Sequence, residues 1–177
     1  LIMVDNQGEI VNGDKLILIM ALARARRGEL QGGVVGTVMS NLGLEQAFRA
    51  NNIEFARAAV GDRYVLEMMK ANGWQLGGEA SGHIICLDKS TTGDGIVAAL
   101  EVLQVMHDSG KSLSELASEM DTCPQTMINV EIARGFDISG NARVKEAVAG
   151  VEAELADRGR VVLRPSGTEP LIRVIIE

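Results

Sequence analysis

Aromatic side chains are scarce in this sequence. Its 177 residues include one tryptophan, one tyrosine and three phenylalanines, 3% in all, against a hydrophobic share of 46%. The core must therefore be mostly aliphatic residues and methionine. Cysteine is scarcer still: Cys86 and Cys123 lie in different segments, one of them inside an apolar run. They read as reduced thiols of a reducing compartment and exclude a disulfide framework. Two histidines and two scattered cysteines also leave no spacing suited to zinc. No apolar run approaches the roughly 18 residues of a membrane span. No secretory leader is visible in these residues, although a truncated N-terminus would hide one. Basic charge is in deficit, with 17 Lys and Arg against 24 Asp and Glu and a net charge of −7. Nucleic-acid phosphates demand a broad basic surface, so the balance argues against that partner. These readings describe a cytoplasmic chain without internal repeats, long enough for one or two domains with a substantial core.

What basic charge there is collects late in the chain. Between Arg158 and Arg173 stand four arginines and one glutamate, a local charge of +3. Within it runs Arg164-Pro165-Ser166-Gly167-Thr168-Glu169-Pro170. Glycine lets a backbone N–H approach an anion, hydroxyls donate, and a guanidinium forks onto two oxygens, so the loop suits a phosphate monoester. The bland alternative is a surface turn whose arginines are merely solvated. A second loop, Gly77-Gly78-Glu79-Ala80-Ser81-Gly82-His83, precedes the apolar run Ile84-Ile85-Cys86-Leu87. Glu79, Ser81 and His83 alternate, so an extended loop would point all three one way. A carboxylate, a hydroxyl and an imidazole on one side suit a polyhydroxy ligand such as a sugar. Alone, His83 would more often be a satisfied structural histidine. Gly32-Gly33-Val34-Val35-Gly36-Thr37 lacks the ending of a P-loop and reads as turns around a strand. Asp88, Thr91, Thr92 and Asp94 miss the spacing of a calcium loop, and helix capping explains Asp94.

Strand and helix signals alternate through the first two thirds. Asp14 is expected to cap an apolar helix to about Arg27, followed by strands at 34–39 and 53–60 and helices from Ser40 and Asp62. A strand at 84–87 and a helix from Asp94 to about His107 complete an α/β pattern with a mixed sheet and covering helices. Ser112-Leu113-Ser114-Glu115 spells a capping box. Beyond it come an extended run at 127–133, a helix at 141–158 with Val144, Ala147, Val148, Val151 and Leu155 at helical spacing, and strands at 161–163 and 171–176. That is a smaller α+β unit of β-α-β-β order, with the boundary expected near 108–112.

Together the two loops resemble the α-D-phosphohexomutases, and in particular the bacterial phosphoglucosamine mutases. Val60-Gly61-Asp62-Arg63-Tyr64 and Thr92-Gly93-Asp94-Gly95 support the likeness, as do the opening Leu1-Ile2-Met3-Val4-Asp5, Gly8 and Asn12-Gly13-Asp14. The resemblance implies three portions: the end of a second domain (1–28), a third α/β domain bearing the sugar loop (29–109), and an incomplete fourth domain bearing the phosphate loop (110–177). It implies an isomerase that interconverts glucosamine 6-phosphate and glucosamine 1-phosphate, on the route to UDP-N-acetylglucosamine. The phosphate passes through a phosphoserine and a bisphosphorylated intermediate that turns end for end while bound. Arg164, Ser166, Gly167, Thr168 and Arg173 would hold the phosphate that is not reacting. Glu79, Ser81, His83 and Arg63 would contact the sugar, with His83 either moving a proton or orienting the loop. The family's phosphoserine and its magnesium-holding Asp-Gly-Asp-Gly-Asp-Arg loop are not among these residues. The chain is accordingly expected to be a C-terminal portion, inactive alone, whose full-length form uses Mg2+ and a sugar bisphosphate activator. An oligomer stays open. Ala59 stands where some relatives carry a substrate-contacting lysine, and Ala80 occupies a variable position bearing on amino-sugar preference. Glucose or mannose phosphomutases, a noncatalytic anion-binding module and a structural domain remain alternatives.

Overall fold

The computed structural model describes residues 1–133, 136–138, 140–166 and 169–177. The chain divides into two compact units, Leu1–Thr122 and Cys123–Glu177.

The first unit opens with a two-stranded antiparallel ribbon, β1 (Met3–Val4) and β2 (Ile10–Val11). Helix α1 (Gly13–Arg27) follows. Its cap is Asn12, whose side chain accepts from Lys15 N–H, and not the expected Asp14. Asp14 lies inside the helix, buried, with Oδ2 accepting from Asn41 N–H at 2.8 Å. Eleven of the 15 residues of α1 are buried, because helices and sheet surround it on several sides. The chain continues through β3 (Val34–Thr37), α2 (Leu42–Ala50), β4 (Phe55–Ala58), α3 (Asp62–Asn72), β5 (Leu76–Gly78), β6 (Ile84–Cys86), α4 (Gly95–Ser109) and α5 (Leu113–Ala117).

The sheet order is β4-β3-β5-β6, parallel except for the last pair, which is an antiparallel hairpin. Alternation across the pleat gives each face its own core. Val34, Leu76, Ile84 and Cys86 pack with α1, α2, α4 and α5, while Val35, Ala58 and Ile85 pack with Val65 and Met69 of α3. Covering on both faces is why β3, β5 and β6 read as continuous apolar or glycine runs rather than alternating ones. The mixed sheet and covering helices agree with the α/β pattern read from the sequence.

The capping box forms, with Glu115 N–H donating to Ser112 Oγ and Ser112 N–H to Glu115 Oε2. The division between units falls later than 110. Leu113, Leu116, Ala117 and Met120 are buried in the same core as α1, so 110–122 stays with the first unit. Residues 1–28 do not separate either, because α1 is the centre of that core.

The second unit is β7 (Thr126–Glu131), α6 (Ala142–Leu155), β8 (Val161–Pro165) and β9 (Leu171–Ile176), an antiparallel sheet of order β7-β9-β8. This is the β-α-β-β order expected. The helix with the cleanest apolar spacing buries no residue fully. Open grooves of 540 and 340 Å³ lie along α6, both lined in part by Val144, Val148 and Leu163. It ends at Leu155, with Ala156 at φ 48° and a 3-10 turn following, rather than running on to the expected stop at Gly159.

Candidate functional site

In the first unit the motifs meet at the tip of the β5–β6 hairpin. This tip is a tight turn and not the extended loop expected. Gly82 N–H donates to Glu79 O at 2.9 Å and Glu79 N–H to His83 O at 3.1 Å, with Gly82 at φ 90°. A left-handed residue here favours glycine. The start of α1 braces the turn, with Gly13 N–H donating to Ala80 O at 2.9 Å. Alternation therefore does not decide where the side chains go. Glu79 Oε1 accepts from Gly61 N–H at 2.9 Å, and His83 Nε2 lies 3.5 Å from Asp62 Oδ2. Glu79 and His83 thus both reach the start of α3, while Ser81 is exposed and lines a cavity of 260 Å³ with His83, Gly93 and Asp94.

Gly93 lies directly on His83, and a Cβ there would overlap the imidazole. Asp94 caps α4, its Oδ1 accepting from Ile96 and Val97 N–H at 2.8 and 3.1 Å. Arg63 is exposed, and its Nε donates to Glu67 Oε1 at 2.8 Å along α3. The Glu67 hydrogen bond raises the Arg63 pKa above its ordinary value.

The second unit carries the basic loop. Arg164 on β8 and Arg173 on β9 are direct antiparallel partners, and Asn129 on β7 is opposite Arg173. Opposed residues share a sheet face, so Asn129, Arg173 and Arg164 form one row across three strands. Both arginines are half-buried. Neither has a carboxylate within ion-pair distance among the described residues, whereas Arg24, Arg26, Arg27, Arg49, Arg57, Arg63 and Arg160 each do. Directly opposed like charges repel, and a bound anion would relieve them. Ser166 N–H donates to Leu171 O at 2.9 Å, and Ser166 Oγ accepts from Glu169 N–H at 3.3 Å, closing the loop beside the pair. Gly167 and Thr168 lie outside the described residues.

Sequence reasoning reached these loops and quoted Gly93 within a motif, but missed Asn129 and the tie from Asp62 to His83. These two emerge only from strand register and tertiary approach, and no local signal marks them. Among the described residues there is no group of three or more His, Cys, Asp or Glu that could hold a metal ion.

Residues 12–123 match the phosphoglucomutase/phosphomannomutase alpha/beta/alpha domain III, and residues 127–177 match the phosphoglucomutase/phosphomannomutase C-terminal domain. The phosphoglucosamine mutase of Methylococcus capsulatus is 59% identical over 177 residues, all of this chain and 40% of that protein. The chain thus spans about two fifths of the length of such relatives. Among solved structures, an N-acetylglucosamine-phosphate mutase in its substrate complex shares the fold at a TM-score of 0.78, with 22% identity over 99% of this chain and 42% of the other. The Aspergillus fumigatus N-acetylphosphoglucosamine mutase, in complex with GlcNAc-6P and magnesium, follows at 0.79, with 18% identity over 99% of this chain and 45% of the other. Two adjoining domain matches covering nearly the whole sequence leave one conclusion: the chain belongs to the phosphoglucomutase/phosphomannomutase family.

Proposed function

We propose that this chain is the ligand-holding portion of a phosphoglucosamine mutase, an enzyme that interconverts glucosamine 6-phosphate and glucosamine 1-phosphate. One observation carries the reading: Arg164 and Arg173 stand directly opposed with no carboxylate to neutralise them among the described residues, beside the Ser166 turn. Such a pair is built to receive a dianion. Arg164, Ser166, Gly167, Thr168 and Arg173 hold the phosphate that is not being transferred, by charge-assisted hydrogen bonds worth roughly 1.5–3 kcal/mol each. Glu79, Ser81 and His83 meet the sugar hydroxyls, and Arg63, exposed at the start of α3, adds a cation. A hexose bisphosphate is a ligand of the same groups. The amino-sugar preference is supported by relatives 55–59% identical that carry the phosphoglucosamine mutase name. No step through magnesium is assigned to these residues. A reducing, cytoplasmic setting fits a sequence with only two cysteines, and no helix among the described residues is long and apolar enough to cross a membrane.

Calorimetric titration of the 177-residue chain with glucosamine 6-phosphate and with inorganic phosphate tests the reading. Arg164→Ala is expected to weaken both ligands by about 10- to 150-fold, the equivalent of one charged hydrogen bond. Glu79→Ala is expected to weaken only the sugar phosphate. Unchanged affinity in Arg164→Ala would remove the phosphate assignment, and equal binding of both ligands by the unaltered chain would reduce the site to a generic anion loop.

A further inference from the structure

Three separate stretches converge on the imidazole of His83. Gly93 packs against the ring so closely that any side chain there would overlap it. The β5–β6 turn carries the ring, and α1 pins that turn through the bond from Gly13 N–H to Ala80 O. From the third side comes Asp62, at the first turn of α3, with Oδ2 3.5 Å from His83 Nε2. That nitrogen is closed off from solvent and has no formed hydrogen bond among the described residues. A buried donor or acceptor left unmade is costly, so Nε2 requires a partner. Three carboxylates lie in this neighbourhood, each with one oxygen taken by backbone N–H: Glu79 by Gly61, Asp94 by Ile96 and Val97, and Asp62 by Arg63; among the described residues it is Asp62 that comes within ion-pair distance of the ring. Asp62 uses only Oδ1 locally, accepting from Arg63 N–H at 2.8 Å, which turns Oδ2 toward the ring.

We propose that Asp62 is a positioning residue for His83. It holds the proton on Nε2 and leaves Nδ1 as the hydrogen-bond acceptor for a ligand hydroxyl. A 3.5 Å approach is longer than a closed hydrogen bond, and contacts of this kind in unliganded sites commonly tighten when the ligand arrives. The tautomer of a neutral imidazole is set by the bond its other nitrogen makes, which is the part Asp62 plays here. Gly93 is the second half of the device, because only a glycine leaves room for the ring to reach Asp62. The inference deepens the sugar-loop reading of residues 79–83 and rests on it for its purpose, but not for its geometry.

Imidazole 15N–1H spectra of the unliganded 177-residue chain test it directly. There are two histidines, and exposed His107 near the end of α4 is the internal reference. In the unaltered chain His83 is expected as a single Nε2–H tautomer with a resolved Nε2–H proton. In Asp62→Ala that proton is expected to vanish into solvent exchange, with His83 populating both tautomers as His107 does. Asp62→Asn, which keeps an acceptor oxygen, is expected to retain part of the signal. A proton on Nδ1 in the unaltered chain, or the same Nε2–H signal in Asp62→Ala, would overturn the proposal. Because no ligand is present, this outcome is independent of whether glucosamine 6-phosphate binds.

Discussion

Cys86 sits on β6 facing the core that contains α1, 2% exposed, and its chemistry follows from that placement. Burial pushes its thiol from 9.0 up to about 11, with the nearby Arg24 guanidinium opposing the shift. A thiol whose native pKa is raised keeps its proton longer in the folded state than in the unfolded one. Its contribution to stability is therefore complete below pH 9 and is lost as pH climbs from about 9 to 11. A shift of that size corresponds to no more than about 3 kcal/mol. Urea unfolding from pH 8 to pH 11 is expected to show the unaltered chain losing stability relative to Cys86→Ala across that window. A constant difference between the two would contradict the burial argument. Alkylation at pH 8 is likewise expected to spare Cys86 until the chain unfolds.

Local elements explain which parts of the site were legible beforehand. Asp94 was readable as a cap because an Asx residue before an apolar helical run is a local signal, and its carboxylate does accept from two N–H groups of α4. Asp94→Ala is expected to cost roughly 0.5–2 kcal/mol of stability, measured as a lowered urea midpoint with an unchanged slope. An unchanged midpoint would mean that the cap contributes nothing. Asp14 looked equally like a cap, but Asn12 takes that place because Asp14 is drawn inside to receive Asn41 N–H. The same competition explains the β5–β6 tip. Period-two alternation suggested a shared direction for Glu79, Ser81 and His83, yet Gly82 bends the chain, and the partners of Glu79 and His83 are Gly61 and Asp62 where α3 begins. Arg24 adds a further case. It is 4% exposed and bridges Asp88 and Glu101 at 3.0 and 2.9 Å, an ion triad with a buried arginine and two more accessible carboxylates, built across α1, the β6–α4 connection and α4. Burial works against its charge, and Glu101 and Asp88 more than offset it. No sequence spacing announces such a network, since its members are 64 and 77 residues apart.

Across the whole molecule, the fold was legible because each of its layers writes a period into the sequence. Strands covered on both faces read as short apolar runs, and the α+β order of the second unit followed from one long amphipathic helix between strand signals. The boundary was less legible: the glycine turn at Gly110 reads as a break, but Leu113, Leu116 and Met120 carry the chain back into the first core. The two loops proposed to bind ligand were legible as chemistry and not as geometry. Arg164 and Arg173 were noticed as cations, and only the β8–β9 register makes them opposed partners with Asn129 beside them. That row and the β5–β6 tip are the two places where a sugar phosphate should act on the chain.

Backbone 15N–1H shift mapping tests this account most directly, with inorganic phosphate and glucosamine 6-phosphate titrated in parallel. Phosphate is expected to perturb Arg164, Ser166, Gly167, Thr168 and Arg173 and to leave Gly61, Ser81 and His83 unchanged. Glucosamine 6-phosphate is expected to perturb the same amides and, in addition, Gly61, Ser81 and His83. Shifts that leave Arg164 and Arg173 untouched with both ligands, or that cluster away from both loops, would contradict it.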